Sequence, residues 1–192
     1  MTQDLSQPIN LPNFSNLDMD FDIIDSHHHL FDLVENYYPW LTGRPEKGFF
    51  LGNHDALKEN YSVSAYRADT SDLRVIKTVH VEAEADHNDP LLETQWLVKT
   101  MKAKHLPDAL VAHAWFDLPE TEKILEAQSS FGAVKGIRSK PITSASAKTR
   151  SRVNGKPRSM QDKSWRQGLG LLRKFNLSWD LRVPFWHLTE AA

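Results

Sequence analysis

The order of the apolar segments restricts the fold of this chain more than any other feature of its sequence. Segments rich in β-branched residues, which predict strands, alternate with segments whose apolar residues recur at helical spacing. Strands are predicted in FDIIDSH, LRVIKTVHVEAEA, DALVAHAWFDL, GAVKGIRS and NLSWDLRVPFW, and helices in NDPLLETQWLVKTMKAKHL, PETEKILEAQSS and SWRQGLGLLRKF. This alternation predicts an α/β protein with parallel strands, either a doubly wound sheet or a (β/α)8 barrel.

Polar residues at the ends of the predicted strands favour the barrel. These residues are His27, His29, Glu82, Glu84, Asp117, Arg138 and Arg182. In TIM barrels the C-terminal ends of the strands carry the chemistry. No glycine-rich phosphate-binding turn follows any of the strands, which weakens the nucleotide-binding alternative. We therefore predict the N-terminal five strands of a (β/α)8 TIM barrel.

The length of the chain predicts an incomplete barrel. The segment from Phe21 to Phe185, which carries the five strands, takes up most of the 192 residues, whereas eight strands need about 250 residues. We expect residues 1–20 to form an extended arm and residues 21–192 a partial barrel, truncated before strands 6–8. The final HLTEAA resembles the first residues of a helix, so we interpret the chain as a fragment. The alternative is that two chains complete each other, and self-association through the open barrel edges is expected in either case.

Composition and charge exclude several classes of function. The absence of cysteine excludes disulfides and thiolate metal sites. The net charge of −2 gives no reason to expect nucleic acid or an anionic membrane as a partner. The N-terminus has no secretory signal pattern and no window approaches 18 apolar residues, so we expect a cytoplasmic protein.

The segment SKPITSASAKTRSRVNGKPRSMQD is strongly basic, with one acidic residue, Asp162. We interpret it as a solvated, mobile loop. The first alternative is a cationic lid over an anionic substrate. Nucleic-acid binding is a distant third, because no aromatic residues lie among the charges.

Three consecutive histidines end the first predicted strand. Because a strand alternates its faces, we expect Asp25, His27 and His29 to point one way and His28 the other. His-x-His on one face suits a divalent metal, and Asp25 can orient one of the rings as a hydrogen-bond acceptor. The alternative is a polar strand end with solvated histidines.

The sequence resembles the amidohydrolase-related family of metal-dependent-hydrolase-like TIM barrels, which includes fuconolactonase-like and pyrone-dicarboxylate-lactonase-like enzymes. The motifs that carry the resemblance are DSHHHLFD with YYPWL, VHVEAEAD with ETQWL, VKGIRS, and LGLLRKFNLSWDL, in family order. The resemblance implies a hydrolase of a lactone or similar ester of a sugar acid or carboxylic acid. It also implies His27 and His29 as metal ligands, zinc being the preferred metal, although some relatives work without one.

Further site residues follow from the same motifs and from strand ends. The resemblance makes Glu82 the strand-two acid and Arg138 the arginine of the GIR motif, and we expect both to be catalytic. Glu82 and Glu84 can each be a ligand or a base, or can simply be solvated at the strand end. Arg138 offers a planar fork to a substrate carboxylate or hydroxyls, or makes a surface salt bridge. Asp180 is a third catalytic candidate and Arg182 a substrate-binding one, although the two can equally form an internal ion pair.

Aromatic residues and a late histidine complete the candidates. Tyr38, Trp40 and Trp179 either line a substrate pocket or pack in the core. His187, just past the fifth strand, is a candidate ligand by position only.

Three functions are compatible with these residues. The first is the lactonase-like hydrolase, acting on a small and anionic substrate. The second is a non-oxidative decarboxylase of an aromatic acid on the same barrel, and the third is an inactive, metal-binding fragment. The resemblance places the general base, an aspartate, on a late strand beyond this sequence, so we expect little or no lactonase turnover from the chain itself.

Overall fold

The computed structural model describes residues 21–43 and 53–192, so the arm predicted for residues 1–20 lies outside the described residues. Within the described ranges the chain forms a five-stranded sheet in the order β1-β2-β3-β4-β5. The strands are β1 (Ile23–His28), β2 (Val75–Val81), β3 (Ala109–His113), β4 (Val134–Arg138) and β5 (Ser178–Trp179), and every neighbouring pair is parallel. This curled arc is five strands of a (β/α)8 barrel, as the sequence predicts.

Helices connect the strands along the chain. The α-helices are α1 (Pro39–Thr42), α2 (Val63–Asp69), α3 (Leu92–Lys104), α4 (Thr121–Ser130), α5 (Lys163–Leu171) and α6 (Leu188–Ala191), and short 3-10 helices cover Asp55–Leu57, Ala147–Val153 and Phe185–His187. Of the helices in the described ranges, none combines the length and the apolarity that crossing a membrane requires.

The main core joins the sheet to the helices that follow its strands. Leu110 of β3 and Ile137 of β4 belong to one buried cluster with Leu97 of α3, Leu125 of α4 and Trp165 of α5. Burying a large apolar side chain contributes about 1.5–3 kcal/mol. This cluster therefore anchors the helices on the sheet.

Helix α5 approaches the segment after β3 so closely that it needs a glycine. A Cβ atom at Gly168 would lie 2.0 Å from the carbonyl oxygen of Phe116, whereas Gly170 on the same helix has no atom within 4 Å of that position. The ring of Phe116 also packs against Trp165, with centroids 5.4 Å apart. Gly168 is thus a packing requirement that helical periodicity alone does not reveal.

Helix α2 is absent from the sequence prediction, which places no element between the first and the second strand. The side chain of Ser62 caps this helix by accepting a hydrogen bond from the Ala65 amide at 3.3 Å. Val63 and Tyr66, one turn apart, are buried. The available signal was a capping serine followed by apolar residues at helical spacing.

The basic segment after β4 is better packed than the predicted solvated loop. Met160 is buried and belongs to the main core. The guanidinium of Arg158 lies 3.7 Å above the ring of Trp115, and Nε of Arg150 lies 3.1 Å from Oε1 of Glu190. These contacts anchor the segment at a few points, while most of its residues from Ala147 to Pro157 are exposed as predicted.

Candidate active site at the carboxyl ends of the strands

A cavity of about 550 Å³ lies where the strands end, as expected for a barrel. Its histidine and charged lining comes from β1, β4 and the segments after β2 and β5. These residues are His27, His29, Glu82, Glu84, Arg138, Asp180 and Arg182. Trp40 adds an aromatic wall. The structure thus brings together the predicted catalytic and metal-binding residues with Trp40 and Arg182.

A bulge in β1 sets the side of the strand on which Asp25 lies relative to the three histidines. Asp25 pairs with Thr78 and His28 pairs with His80, so three steps along β1 match two steps along β2. Such an extra residue reverses the alternation of side chains downstream of it. The predicted placement of Asp25 on the same face as His27 and His29 is therefore wrong, whereas His27 and His29 do share the cavity face and His28 does not.

The bulge separates Asp25 from the histidines that it was expected to orient. The carboxylate of Asp25 accepts a hydrogen bond from the Tyr66 hydroxyl at 2.7 Å and one from the backbone amide of His27 at 3.0 Å. His28 packs on the same tyrosine, with ring centroids 4.6 Å apart. Asp25 and His28 thus lie against α2, whereas His27 and His29 line the cavity.

His29 has the geometry of a proton acceptor. Its Nδ1 lies 2.8 Å from the carbonyl oxygen of Val81. Because a carbonyl only accepts hydrogen bonds, Nδ1 carries the proton and Nε2 carries the lone pair. Burial lowers the pKa of His29, so the ring is neutral at pH 7. The rings of His29 and His27 meet edge to face, with centroids 5.1 Å apart.

Arg138 lies between a carboxylate and a histidine. Its Nε and Nη2 both donate to Oδ2 of Asp180, at 2.8 and 2.6 Å. Nη2 also lies 3.5 Å from Nε2 of His27, and Nε lies 4.0 Å from the buried carboxylate of Glu82. Asp180 thus pairs with Arg138 rather than with Arg182, the partner considered as an alternative from the sequence.

A second ion-pair group crosses the cavity mouth. Arg182, after β5, donates to Oε1 of Glu84 at 2.6 Å, and Lys140 pairs with the same carboxylate oxygen. Burial by itself would raise the pKa of Glu84, but the bonds from Lys140 and Arg182 outweigh it and hold that pKa below its usual value. Because β2 and β5 are not neighbours in the sheet, this group joins strand ends across the arc.

Tyr38 and Trp40 lie in different environments. Trp40 lines the cavity and donates from Nε1 to the carbonyl oxygen of Ala83 at 2.9 Å. Tyr38 is fully buried in a small apolar cluster with Leu41 and Ala85. The predicted substrate contact of Tyr38 is therefore contradicted by its packing.

Two further candidates also lie away from the cavity. Nε2 of His187 accepts a hydrogen bond from the backbone amide of Ser144 at 3.0 Å, and the histidine is buried. Trp179 packs on Trp165 of the core, with ring centroids 5.2 Å apart. Both residues stabilise the connection around β5.

Sequence reasoning missed three polar residues beside Glu82, two of them buried and one, His87, partly exposed. His87 follows β2 on a loop and stacks on His113, the last residue of β3, with centroids 3.6 Å apart. Glu93 of α3 is buried and accepts a hydrogen bond from the Ala83 amide at 2.9 Å. Burial and the neighbouring Glu82 raise the pKa of Glu93 to about 8. The position of His113 at a strand end was a usable signal, but its contact with His87 was not visible in the sequence.

A catalytic zinc at His27 and His29 would need more donors than this pair supplies. Such zinc sites have three protein ligands and an open position. Within residues 21–43 and 53–192, the one group of three histidine or acidic side chains whose ligand atoms converge is Glu82, His87 and His113. The described donors around His27 and His29 therefore do not fit a catalytic zinc, and we assign no step to an ion there.

One known protein is similar in sequence to most of this chain. An uncharacterised protein, y4mH of Sinorhizobium fredii (strain NBRC 101917 / NGR234), is 32% identical over 172 residues, which are 89% of this chain and 57% of that protein. No family model matches the sequence.

Solved structures agree on the architecture. An amidohydrolase from Burkholderia multivorans with bound zinc superposes with a TM-score of 0.61 at 18% identity, over 88% of this chain and 51% of that one. A probable 2-pyrone-4,6-dicarboxylic acid hydrolase from Acinetobacter baumannii with citric acid bound gives a TM-score of 0.51 at 12% identity, over 84% and 49%. The fold is therefore that of part of a (β/α)8 barrel, similar to part of these two structures, and the chain spans about half the length of the proteins it matches.

Proposed function

We propose that this chain carries the first part of the active site of a hydrolase that opens a lactone or a similar ester of a sugar acid or carboxylic acid. The observation that carries the proposal is the meeting of His27, His29 and the Arg138–Asp180 pair in one cavity at the strand ends. This position is where barrel enzymes hold their catalytic groups.

His29 is the proposed proton acceptor. Its neutral ring presents Nε2 while Nδ1 is held by Val81, an arrangement suited to taking a proton from water at neutral pH. The water oxygen bonds to the acyl carbon as its proton passes to Nε2. The ester C–O bond then breaks, and the same proton goes to the leaving oxygen.

Arg138 is proposed to stabilise the oxyanion that forms during this attack. Asp180 engages Nε and Nη2 of the guanidinium, and Nη1 takes no part in those contacts. Donors that are fixed before the reaction stabilise developing charge most effectively. Asp180 thus serves as the residue that positions Arg138, a change from the directly catalytic role expected from the sequence.

The choice of an anionic substrate draws on two observations. The Acinetobacter baumannii relative of the fold is described as a dicarboxylic acid hydrolase and was solved with citric acid. In this chain Arg138 and Arg182 both line the cavity, although each is paired with a carboxylate. We propose that a substrate carboxylate competes with Glu84 for Arg182 at the mouth.

The test is an assay of the 192-residue protein on a panel of sugar-acid lactones and pyrone dicarboxylates. Acid release is followed with a pH indicator, and binding is followed by ligand-observed NMR. We expect binding with slow, saturable acid release, and a loss of release of about 10²–10⁴-fold in His29→Asn. Asn can keep the donor to Val81 but lacks Nε2.

The control variant is His105→Asn, at an exposed position at the end of α3. It should behave like the unaltered protein. If no lactone is bound or hydrolysed, or if His29→Asn is as active as the control, the proposal is wrong. Release of CO2 from aromatic acids without acid release from lactones would instead favour the decarboxylase.

A further inference from the structure

A second cluster of ligand-type side chains lies beside the cavity. Glu82 follows β2, His87 lies on the next loop, and His113 ends β3. Their nearest ligand atoms all lie within 4.8 Å of one another, and Nε2 of His87 is 3.6 Å from Oε2 of Glu82. The cluster includes neither His27 nor His29.

Four polar atoms of the cluster are buried without hydrogen-bond partners, whereas Oε2 of Glu82 accepts a hydrogen bond from the Glu84 amide at 2.9 Å. The four unpartnered atoms are both ring nitrogens of His113, Nε2 of His87 and Oε1 of Glu82. His113 is 4% exposed and Glu82 is 1% exposed. Buried polar groups are nearly always satisfied, because leaving one unpaired costs about 1–3 kcal/mol. These atoms therefore point to a bound partner that accepts lone pairs.

We propose that Glu82, His87 and His113 bind one divalent transition-metal ion, with zinc, cobalt or nickel as the matching class. Two imidazoles and one carboxylate form a known catalytic ligand set for zinc, which leaves the fourth position open. The ions that accept this mixture of nitrogen and oxygen donors are the borderline transition metals rather than magnesium or calcium.

Binding requires one rearrangement. The rings of His87 and His113 are nearly parallel, at 9°, and one ion cannot lie in the planes of two stacked rings. His87 lies on a loop and is partly exposed, so its ring can turn about the Cβ–Cγ bond, whereas His113 is held in the sheet. Lys140, with Nζ 3.9 Å from Glu82, opposes the ion electrostatically but has Glu84 as its closer partner.

The site would adjoin the cavity, because Glu82 belongs to both. This inference does not rest on the proposed hydrolase. Metal binding can be measured without any substrate, so the two proposals can fail separately.

The experiment is a titration of the metal-free 192-residue protein with Co²⁺, followed by visible absorption and by calorimetry, and then with Zn²⁺ in competition. We expect a d–d spectrum of a low-symmetry nitrogen and oxygen site. His87→Ala should weaken binding at least tenfold, and this loop residue can be replaced with little effect on the core. His113→Ala should do the same, with circular dichroism to check that it folds.

The matched controls are His105→Asn and the double variant His27→Ala with His29→Ala. Both should keep the Co²⁺ spectrum. Three results would each overturn the proposal. The first is Co²⁺ binding that survives His87→Ala, the second is binding that disappears only in the His27 and His29 variant, and the third is a protein that binds no Co²⁺.

Discussion

Arg138 donates two hydrogen bonds to a single oxygen of Asp180, and the guanidinium is almost completely buried while the carboxylate is about a quarter exposed. This pair connects β4 with the segment after β5. It therefore has a structural role as well as the proposed positioning role.

Asp180→Ala should lower the free energy of unfolding by about 2–3 kcal/mol. Removing one partner of a buried ion pair leaves the other charge uncompensated, which costs about 3–5 kcal/mol when both are fully buried. The partial exposure of Asp180 reduces that cost. Urea denaturation measures the loss, and the exposed Asp72→Ala is the control. Equal stabilities of the two variants would show that Arg138 finds another partner, such as Glu82.

Glu93 should make the protein less stable as the pH rises above neutrality. Its carboxyl has a folded pKa of about 8 against an ordinary value of 4.5, so above pH 4.5 the unfolded state holds fewer protons than the folded state. Stability therefore falls with rising pH until the folded pKa is passed. We expect a loss of roughly 1 kcal/mol between pH 7 and 8.5, since one pKa unit corresponds to about 1.36 kcal/mol.

The measurement for Glu93 is the urea midpoint over that pH range. Glu93→Gln should flatten the dependence, because glutamine does not titrate and can still accept from Ala83. Glu126→Gln, on the exposed side of α4, should keep the slope of the unaltered protein. A slope that is unchanged in Glu93→Gln would assign the effect to another group.

The two glycines of α5 should respond in opposite directions to alanine. At Gly168 the added methyl meets the backbone of Phe116, and such overpacking costs about 1–3 kcal/mol or more. At Gly170 the space is open, so alanine should stabilise the helix by about 0.5–1 kcal/mol. Thermal unfolding of both variants tests this, and a stabilising Gly168→Ala would contradict the close approach.

The edge formed by β1 should promote self-association. In the described sheet β1 pairs with β2 alone, and Ile24 on this strand is 62% exposed. Unpaired strand edges with apolar side chains favour pairing between chains. We expect sedimentation to give a mass above 22.0 kDa, and Ile24→Glu to lower it.

Val34→Glu is the matched control for this experiment. Val34 is even more exposed, at 86%, but lies on a turn rather than on a strand. Dissociation by both substitutions alike would mean that general hydrophobicity, not the strand edge, drives the association.

Local patterns in the sequence predicted the strands and most helices. The apolar run of VIKTVHV predicts β2, and the position of Arg138 after an apolar strand places it at the mouth because parallel strands end on one side. The same reasoning brought His27, His29, Glu82 and Arg138 to one cavity.

Contacts between distant segments were not predictable in the same way. Tyr38 was equally consistent with a pocket wall and a core residue, since an aromatic side chain carries no signal for either. The stacking of His87 on His113 depends on the conformation of the loop that carries His87. The partner of Asp180 depends on where β5 ends, because Asp180 directly follows that strand. Such choices follow from packing across the whole fold rather than from local propensity.

The bulge in β1 also has a consequence for insertions and deletions. Ser26 is exposed and lies between Asp25 and His28, where β1 has one residue more than β2 needs. Deleting Ser26 would restore simple alternation along the strand. His27 and His29 would still face the cavity, and His28 would still pair with His80. The strand can therefore lose a residue there without changing which imidazoles it presents to the cavity.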